Sequence, residues 1–305
     1  MEAWVLKSTG SWYEVMSEGR IFSCRLKGKI RLEGSRSTNP VSVGDKVDVE
    51  KSGEEYLITH IHDRKNYFVR RSVNLSKKRH VIAANMDQAC IICSLVEPRT
   101  QNGFIDRFLA TAEAYDIPAV VVFNKSDLYG EDLHYELEYQ TLMYRHIGYQ
   151  VLVVSALSGQ GMDEFSEMLR GKITLISGNS GVGKSTLINR IDPNLNLATK
   201  AVSESYKMGQ HTTTFTEMFP LGLGGFIIDT PGIKSFGLVD MEREEIGDYF
   251  PEIFAMKGDC RYNNCLHLNE PGCAVLQALE NDEIAPTRYK SYYNIINGLE
   301  DEENS

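Results

Sequence analysis

One segment of this chain has the residue types and spacing of a phosphate-binding loop. Residues 178–185 fit the pattern G-x-x-x-x-G-K-[S/T]. Its glycines would let backbone N–H groups close on a phosphate at the start of a helix, while Lys184 would contact the β- and γ-phosphates and Ser185 would bind Mg²⁺. The predicted phosphate-binding residues are Gly178, Asn179, Ser180, Gly181, Val182, Gly183, Lys184, Ser185 and Thr186.

A second group of residues has the chemistry to recognise a nucleotide base. It consists of an N-K-x-D element and a later Ser-Ala pair, namely Asn124, Lys125, Ser126, Asp127, Ser155 and Ala156. The Asp127 carboxylate would accept hydrogen bonds from N1–H and the 2-amino group of guanine, a pair of donors that adenine lacks. Asn124 would approach the N7/O6 edge, and the Ala156 N–H would meet O6. These motifs predict that the chain binds GTP rather than ATP.

The order of the motifs along the chain is unusual. The base-reading residues come first, the phosphate loop follows, and residues 229–232, which fit the D-x-x-G element that contacts the γ-phosphate, come last. An ordinary GTPase has the phosphate loop first and the base-reading elements last. The sequence therefore predicts an α/β fold with a circularly permuted P-loop GTPase domain.

The elements that must position these motifs alternate between strand and helix over residues 71–235. Strands are predicted at 119–123, 151–154, 172–177, 215–219 and 225–229, and helices at 104–115, 132–146, 162–169 and from Ser185 onward. Each base-reading or phosphate-binding motif directly follows an apolar strand. Open α/β sheets bind ligands at the carboxyl ends of their strands, so the motifs should meet at one edge of the sheet. The last two strands predict the antiparallel hairpin that joins the switch regions of GTPases.

Residues 1–70 have a different pattern, with short strands separated by Gly, Ser, Asn and Pro. Strands are predicted at 12–15, 21–26, 46–49 and 56–61. Four or five strands in so few residues predict a small closed barrel, for which an OB-fold is the first candidate. An SH3-like barrel fits the same pattern.

The segment 236–305 contains a cluster of soft metal ligands, namely Cys260, Cys265, His267 and Cys273. Three thiolates and an imidazole so close together suit a tetrahedral structural zinc site. The alternative is a group of neighbouring thiols that binds no metal. Helices are predicted after the cluster, at 274–280 and 287–297, which makes this segment a zinc-binding helical domain.

Composition limits the class of protein. The chain has 305 residues, which predicts two or three domains, and 42% of them are hydrophobic. No apolar run is long enough to span a bilayer, so we expect a cytoplasmic protein without a membrane partner. The six cysteines then argue for thiols or metal ligands rather than disulfides. Cys90 and Cys93 lie in an apolar strand and should belong to the core.

Charge is distributed unevenly along the chain. The net charge is −10, yet residues 64–79 carry seven basic residues and no acidic one. Tyr67 and Phe68 lie among them, which suits a surface that follows nucleic-acid phosphates and stacks on bases. A solvated linker between domains explains the run equally well.

The combination of barrel, permuted nucleotide motifs and Cys/Cys/His/Cys cluster resembles the small ribosomal subunit-dependent GTPase family, RsgA. Residues 209–214 resemble the switch I segment of that family, and residues 178–186 its phosphate loop. The resemblance implies a bacterial cytoplasmic enzyme, here expected to be a monomer, that binds the 30S ribosomal subunit. It further implies that GTP is hydrolysed to GDP there, late in subunit maturation, and that the barrel and zinc domain contact 16S rRNA.

Catalysis by such an enzyme is mainly electrostatic positioning. The residues predicted to take part are Lys184, His211, Thr213, Asp229 and Gly232. Thr213 is our choice for the switch I residue that binds magnesium beside Ser185. Ile233 stands where many GTPases carry a glutamine that orients water, so hydrolysis without a partner should be slow. His211 either orients the water or has no chemical role.

Overall fold

The computed structural model describes residues 1–28, 40–71, 79–197, 216–230 and 241–299. Its strands are β1 (Glu2–Ser8), β2 (Tyr13–Ser17), β3 (Arg20–Leu26), β4 (Lys46–Ser52), β5 (Glu55–Ile61), β6 (Tyr67–Arg71), β7 (Arg79–Ala84), β8 (Gln88–Cys93), β9 (Ala119–Phe123), β10 (Gln150–Val153), β11 (Ile173–Ser177), β12 (Glu217–Pro220) and β13 (Phe226–Asp229). Its α-helices are α1 (Asn102–Ala114), α2 (Glu131–Ile147), α3 (Met162–Leu169), α4 (Lys184–Ile191), α5 (Pro251–Phe254), α6 (Ala274–Glu280) and α7 (Pro286–Ile296).

The central part of the chain forms a mostly parallel sheet in the order β10-β9-β8-β11-β13-β12. Only β12 runs antiparallel, as the predicted hairpin partner of β13. The middle strands are continuously apolar because helices cover both faces. Phe108 of α1 packs on one face, and Phe165 of α3 and Leu187 of α4 pack on the other. Cys90 and Cys93 of β8 are fully buried, as predicted.

The N-terminal strands form a closed five-stranded barrel. Its order is β1-β2-β3-β5-β4, and β1 pairs back to β4. Val5, Val15, Val47 and Ile58 fill its interior. The expected strands are present, but β1 was missed because its burial does not alternate. Ala3 and Val5 lie in the barrel core while Leu6 lies in the core of the central domain, and the strand is irregular between Val5 and Lys7. The topology is that of an OB-like barrel.

The described part of the basic segment is mainly structural. The Arg64 guanidinium binds the buried Asp45 carboxylate at 2.6 and 2.7 Å. Phe68 of β6 is fully buried, and the Tyr67 ring lies 5.3 Å from that of Tyr115. The proposed stacking role of Phe68 is therefore wrong, and the start of the segment is a connection between the barrel and the sheet.

The C-terminal helices pack on their own small core. Phe250, Ile253 and Tyr292 lie at its centre, and they meet Ala110 on α1 of the central domain. A short 3-10 helix, Arg243–Tyr249, leads into α5. Among the described residues, none of the helices combines the length and the apolar character that crossing a bilayer requires.

Candidate nucleotide and metal sites

The predicted nucleotide-binding motifs meet at one edge of the central sheet. Strands β9, β10, β11 and β13 carry them, and parallel pairing aligns the carboxyl ends of these strands with β8. Asn124 follows β9, Ser155 follows β10, Gly178 follows β11, and Asp229 ends β13. Motifs that lie far apart in sequence therefore line a common edge.

Asn124 ties three of these loops together. Its side-chain N–H donates to the Val182 carbonyl at 2.8 Å, and its oxygen accepts from the Ala156 N–H at 3.3 Å. The side chain is buried, so these bonds fix its orientation. Gly183 is needed beside it, because a Cβ atom there would lie 2.4 Å from the Asn124 nitrogen and the backbone φ is +97°.

Ser155 orients the carboxylate that is predicted to read the base. Its hydroxyl donates to Asp127 Oδ1 and accepts the N–H groups of Leu157 at 3.2 Å and Ser158 at 2.9 Å. The Ser126 hydroxyl meanwhile donates to Gln160 at 2.9 Å. The two base-reading segments are thus joined directly through side chains.

The phosphate loop has the required backbone form. Gly178 has φ +143°, and a Cβ atom there would lie 2.2 Å from the Ile92 carbonyl oxygen. The Lys184 ammonium donates to the carbonyls of Gly178 at 2.6 Å and Asn179 at 3.0 Å. Burial lowers the pKa of Lys184, and the nearby Asp229 carboxylate opposes that shift.

Asp229 carries an acceptor that suits a cation or its bound water. Its Oδ1 atom is buried and, among the described residues, has no hydrogen-bond partner. Burial raises the pKa of this carboxyl group, and Lys184 opposes the rise. A buried oxygen without a donor is costly, so its place beside the phosphate loop fits the expected Mg²⁺. The predicted catalytic residues His211, Thr213 and Gly232 lie outside the described residues.

The predicted metal ligands come together in the C-terminal domain. The donor atoms of Cys260, Cys265, His267 and Cys273 all lie within 4.8 Å of one another. Cys260 Sγ is 3.5 Å from His267 Nδ1 and 3.9 Å from Cys273 Sγ. Tetrahedral Zn–S bonds of ~2.3 Å place two sulfurs ~3.8 Å apart, so the donor set and its spacing fit zinc.

Neighbouring side chains hold the backbone of this cluster. The hydroxyls of Tyr289 and Tyr292, both on α7, donate to the carbonyls of His267 and Leu266 at 2.7 Å each. Burial alone would raise the pKa of Glu270, but backbone N–H donors outweigh it and lower the pKa to about 2. The donors are the N–H groups of Leu266, Asn269, Leu268 and Glu270 itself. These contacts support the ligand loop in addition to any bound metal.

Family models match most of the chain. The model of the RsgA N-terminal domain matches residues 3–56, and that of the RsgA GTPase matches residues 61–239. The chain belongs to the RsgA GTPase family. A protein of Christiangramia forsetii named small ribosomal subunit biogenesis GTPase RsgA is 53% identical, with 99% of this chain and 97% of that protein covered. A Bacteroides fragilis protein of the same name is 52% identical, with 99% and 98% covered.

Solved structures agree with the permuted fold. The crystal structure of YjeQ from Thermotoga maritima has a TM-score of 0.78 and 32% identity, with 98% of each chain covered. YloQ, described as a circularly permuted GTPase, has a TM-score of 0.73 and 30% identity, covering 98% of this chain and 94% of that one.

The motifs identified in the sequence do not include Arg190, which contacts the loop that contains Ala156. This side chain lies on α4, six residues after Lys184, and donates to the carbonyls of Ala156 at 2.6 Å and Leu157 at 2.9 Å. One helix therefore begins at the phosphate loop and ends at the base loop. The sequence does show an arginine about two helical turns after Lys184. It gives no indication that this side chain contacts the Ala156 and Leu157 carbonyls, because they belong to a motif far away in the chain.

The loop between β8 and α1 also borders the site without any motif of its own. The Lys125 ammonium donates to the Glu97 carbonyl. Pro98 lies against the phosphate loop, 3.3 Å from where a Cβ atom of Gly181 would be. This loop thus bridges the base-reading and phosphate-binding segments.

Proposed function

We propose that this protein binds GTP at the carboxyl edge of its central sheet and hydrolyses it to GDP and phosphate. The observation that carries the proposal is the meeting of Asn124, Asp127 and Gly178 in loops joined by side-chain hydrogen bonds. Membership of a GTPase family supports it.

Guanine selection rests on Asp127 and the atoms around it. Ser155 donates to one carboxylate oxygen and so orients the acceptor that pairs with N1–H and the 2-amino group. Asn124 holds the Ala156 segment, whose N–H is aimed at O6 in the proposed complex. Lys125 and Ser126 complete this segment, with the lysine stem lying against the base.

The phosphate end stabilises charge that develops during the transfer. Backbone N–H groups of residues 178–186 surround the β-phosphate, and Lys184 neutralises the β/γ oxygens. When bound, Mg²⁺ supplies further neutralisation of the phosphate oxygens, and Ser185, Thr213 and Asp229 are the residues that would hold it. Asp229 contributes its unpartnered oxygen, and the Gly232 N–H contacts the γ-phosphate.

Water orientation is the incomplete part of this machinery. Ile233 has no group that can align a water molecule, so GTP turnover without a partner is slow. We infer that binding of the small ribosomal subunit completes the site, with His211 as the candidate that orients the water. The relatives are named small ribosomal subunit biogenesis GTPases, which supports this choice of partner.

The domains divide this work. We propose that residues 1–70 form an RNA-binding barrel, 71–235 the GTPase domain and 236–305 a domain built on one structural zinc. The barrel and zinc domain bind 16S rRNA in a late step of 30S maturation. The protein acts as a cytoplasmic monomer.

GTP turnover by the purified protein tests the proposal. It is measured with no addition, with 30S subunits, with 50S subunits and with free rRNA. We expect slow turnover with no addition, faster turnover with 30S subunits, and no stimulation by 50S subunits or free rRNA. Fast turnover that ignores ribosomal subunits contradicts the proposal. GTP binding with neither 30S binding nor stimulated turnover favours a second function that Ile233 allows, a GTP-gated RNA-binding protein with a different partner and vestigial hydrolysis.

A further inference from the structure

The outer surface of α2 carries large apolar side chains that serve no core. Tyr135, Tyr139 and Leu142 are 79%, 49% and 58% exposed. Their spacing of four and three residues places them on one face of the helix. We call these three residues and their charged neighbours the α2 face.

The fold does not need these side chains. The buried residues of α2 are Gln140, Thr141, Met143 and Tyr144, and all of them but Met143 lie well away from this face. Single exposed apolar residues are common, but two tyrosines and a leucine in one stripe form a patch. Such patches mark surfaces that another molecule covers.

The charges around the patch indicate which kind of molecule would cover it. Glu131, Asp132 and Glu138 are exposed and lie three or four residues from Tyr135 or Leu142, so they border the same face over its first turns. Arg145 and His146 lie at its C-terminal end, where the Arg145 guanidinium donates to the Val151 carbonyl at 3.0 Å. Three carboxylates repel the phosphates of RNA and also repel a second copy of the face. They attract a polypeptide that carries Lys or Arg beside apolar side chains.

We propose that the α2 face docks a basic protein segment of the small ribosomal subunit, with apolar side chains inserted between the tyrosines and Leu142. The choice of the small ribosomal subunit as the source of this segment rests on the proposed function. Hydrophobic contact supplies the affinity, and the carboxylates supply the choice of protein over RNA.

The location of the α2 face gives such docking a route to the nucleotide. Helix α2 begins three residues after the 3-10 segment Ser126–Leu128, which contains the base-reading Asp127. Glu136 on α2 binds Arg99, and Arg99 belongs to the loop whose Glu97 carbonyl binds Lys125. A partner on this helix therefore lies beside the base-reading residues.

Reversing the charges of the α2 face tests whether a basic protein segment binds there. The full-length Glu131→Lys/Asp132→Lys/Glu138→Lys variant is compared with wild type for binding to purified 30S subunits with a non-hydrolysable GTP analogue. A basic protein segment predicts about ten-fold weaker binding, from three charge contacts of ~0.5 kcal/mol each. The matched control is Asp163→Lys/Glu164→Lys/Glu167→Lys on α3, with the same charge change on another exposed face. Its affinity should exceed that of the α2 variant.

Each other outcome has a defined meaning. Stronger binding by the α2 variant than by the control identifies RNA as the occupant and overturns the proposal. Equal effects of the two variants also overturn it, because the net charge alone then explains them. Wild-type protein that fails to bind 30S subunits contradicts the proposed function itself, before either variant is considered.

A photo-crosslink tests the contact directly. A benzophenone amino acid replaces Tyr135 in the full chain, and the complex with purified 30S subunits is irradiated. We expect a product that contains a basic ribosomal protein. A product with 16S rRNA, a product with a second copy of the chain, or no product from a complex that sediments normally overturns the proposal.

Discussion

The central domain is attached to its two neighbours in very different ways. The barrel meets it through the pairing of β1 with β12 and through Leu6 and Val43, which pack in the core of the central domain. The ion pair at this contact joins Lys7 to Glu217 at 3.1 Å, and both side chains are about a quarter exposed. The C-terminal domain meets it through Arg288 and Asp106, 2.7 Å apart and both fully buried. Solvent weakens the ion pair between Lys7 and Glu217 but does not reach the pair between Arg288 and Asp106.

The buried ion pair belongs to a larger polar network. Asp106 on α1 accepts hydrogen bonds from Ser291 at 2.5 Å and Tyr144 at 2.9 Å, besides Arg288. Arg288 binds Glu252 at 2.6 Å. Burial raises the pKa of Asp106, and Arg288 opposes that rise. Because α1, α2 and α7 share one buried polar network, we infer that the C-terminal domain moves with α1.

The largest effect should come from breaking the buried pair. Arg288→Met leaves Asp106 and Glu252 without their cation, and removal of one partner of a buried pair costs about 3–5 kcal/mol. Urea unfolding of the variant should show that loss in the free energy of unfolding. Lys290→Met, on the exposed side of the same helix, is the control and should change it little. Equal values for both variants contradict the assigned difference.

A somewhat smaller effect should follow loss of the metal site. Cys265→Ala removes one of four donors, and we expect metal analysis to show no bound zinc. The ligand loop is then free to pull away from Tyr289 and Tyr292, which lie on the same helix as Arg288. 30S-stimulated GTP turnover should fall while GTP binding persists.

Cys24→Ala is the control for that experiment, because Cys24 is buried in the barrel, far from the cluster in sequence. It should retain the metal. Zinc loss in Cys265→Ala with full stimulation would show that the C-terminal domain is not coupled to hydrolysis. Zinc retained at full stoichiometry would contradict the ligand assignment.

The smallest effect should come from the barrel contact. Lys7→Met removes a partly exposed ion pair, for which we expect a contribution of about 1 kcal/mol or less. The free energy of unfolding should therefore change far less than in Arg288→Met. A loss as large as that of the buried pair would contradict the assigned difference between the two ion pairs.

The difference between the attachments also explains what the sequence could predict. The predicted nucleotide-binding and metal-binding residues occur in short motifs, because a single loop supplies several of them from neighbouring positions in the sequence. Asp106 and Arg288 are 182 residues apart, and no local pattern links them. Arg190 was missed for the same reason, because the carbonyls that it contacts belong to a loop more than thirty residues earlier.

Two local errors have a different cause. Strand β1 was missed because both of its faces are covered, one by the barrel core and the other by the core of the central domain, so it lacks the alternation that marks a half-buried strand. Phe68 was taken for a stacking residue because basic neighbours suggested an RNA surface, yet the β6–β7 hairpin places it in the core. The composition shows that the segment is basic, but it does not show which of its side chains are buried.

The guanine-reading role of Asp127 is the central claim, and nucleotide affinity tests it most directly. Asp127→Asn exchanges an acceptor for a donor at the base edge, so the amide matches the 2-oxo group of xanthine and not the 2-amino group of guanine. Equilibrium binding of GTP and XTP should show GTP affinity lowered by at least about ten-fold and XTP affinity raised. Unchanged GTP affinity in this variant would contradict the assignment of the base-reading site.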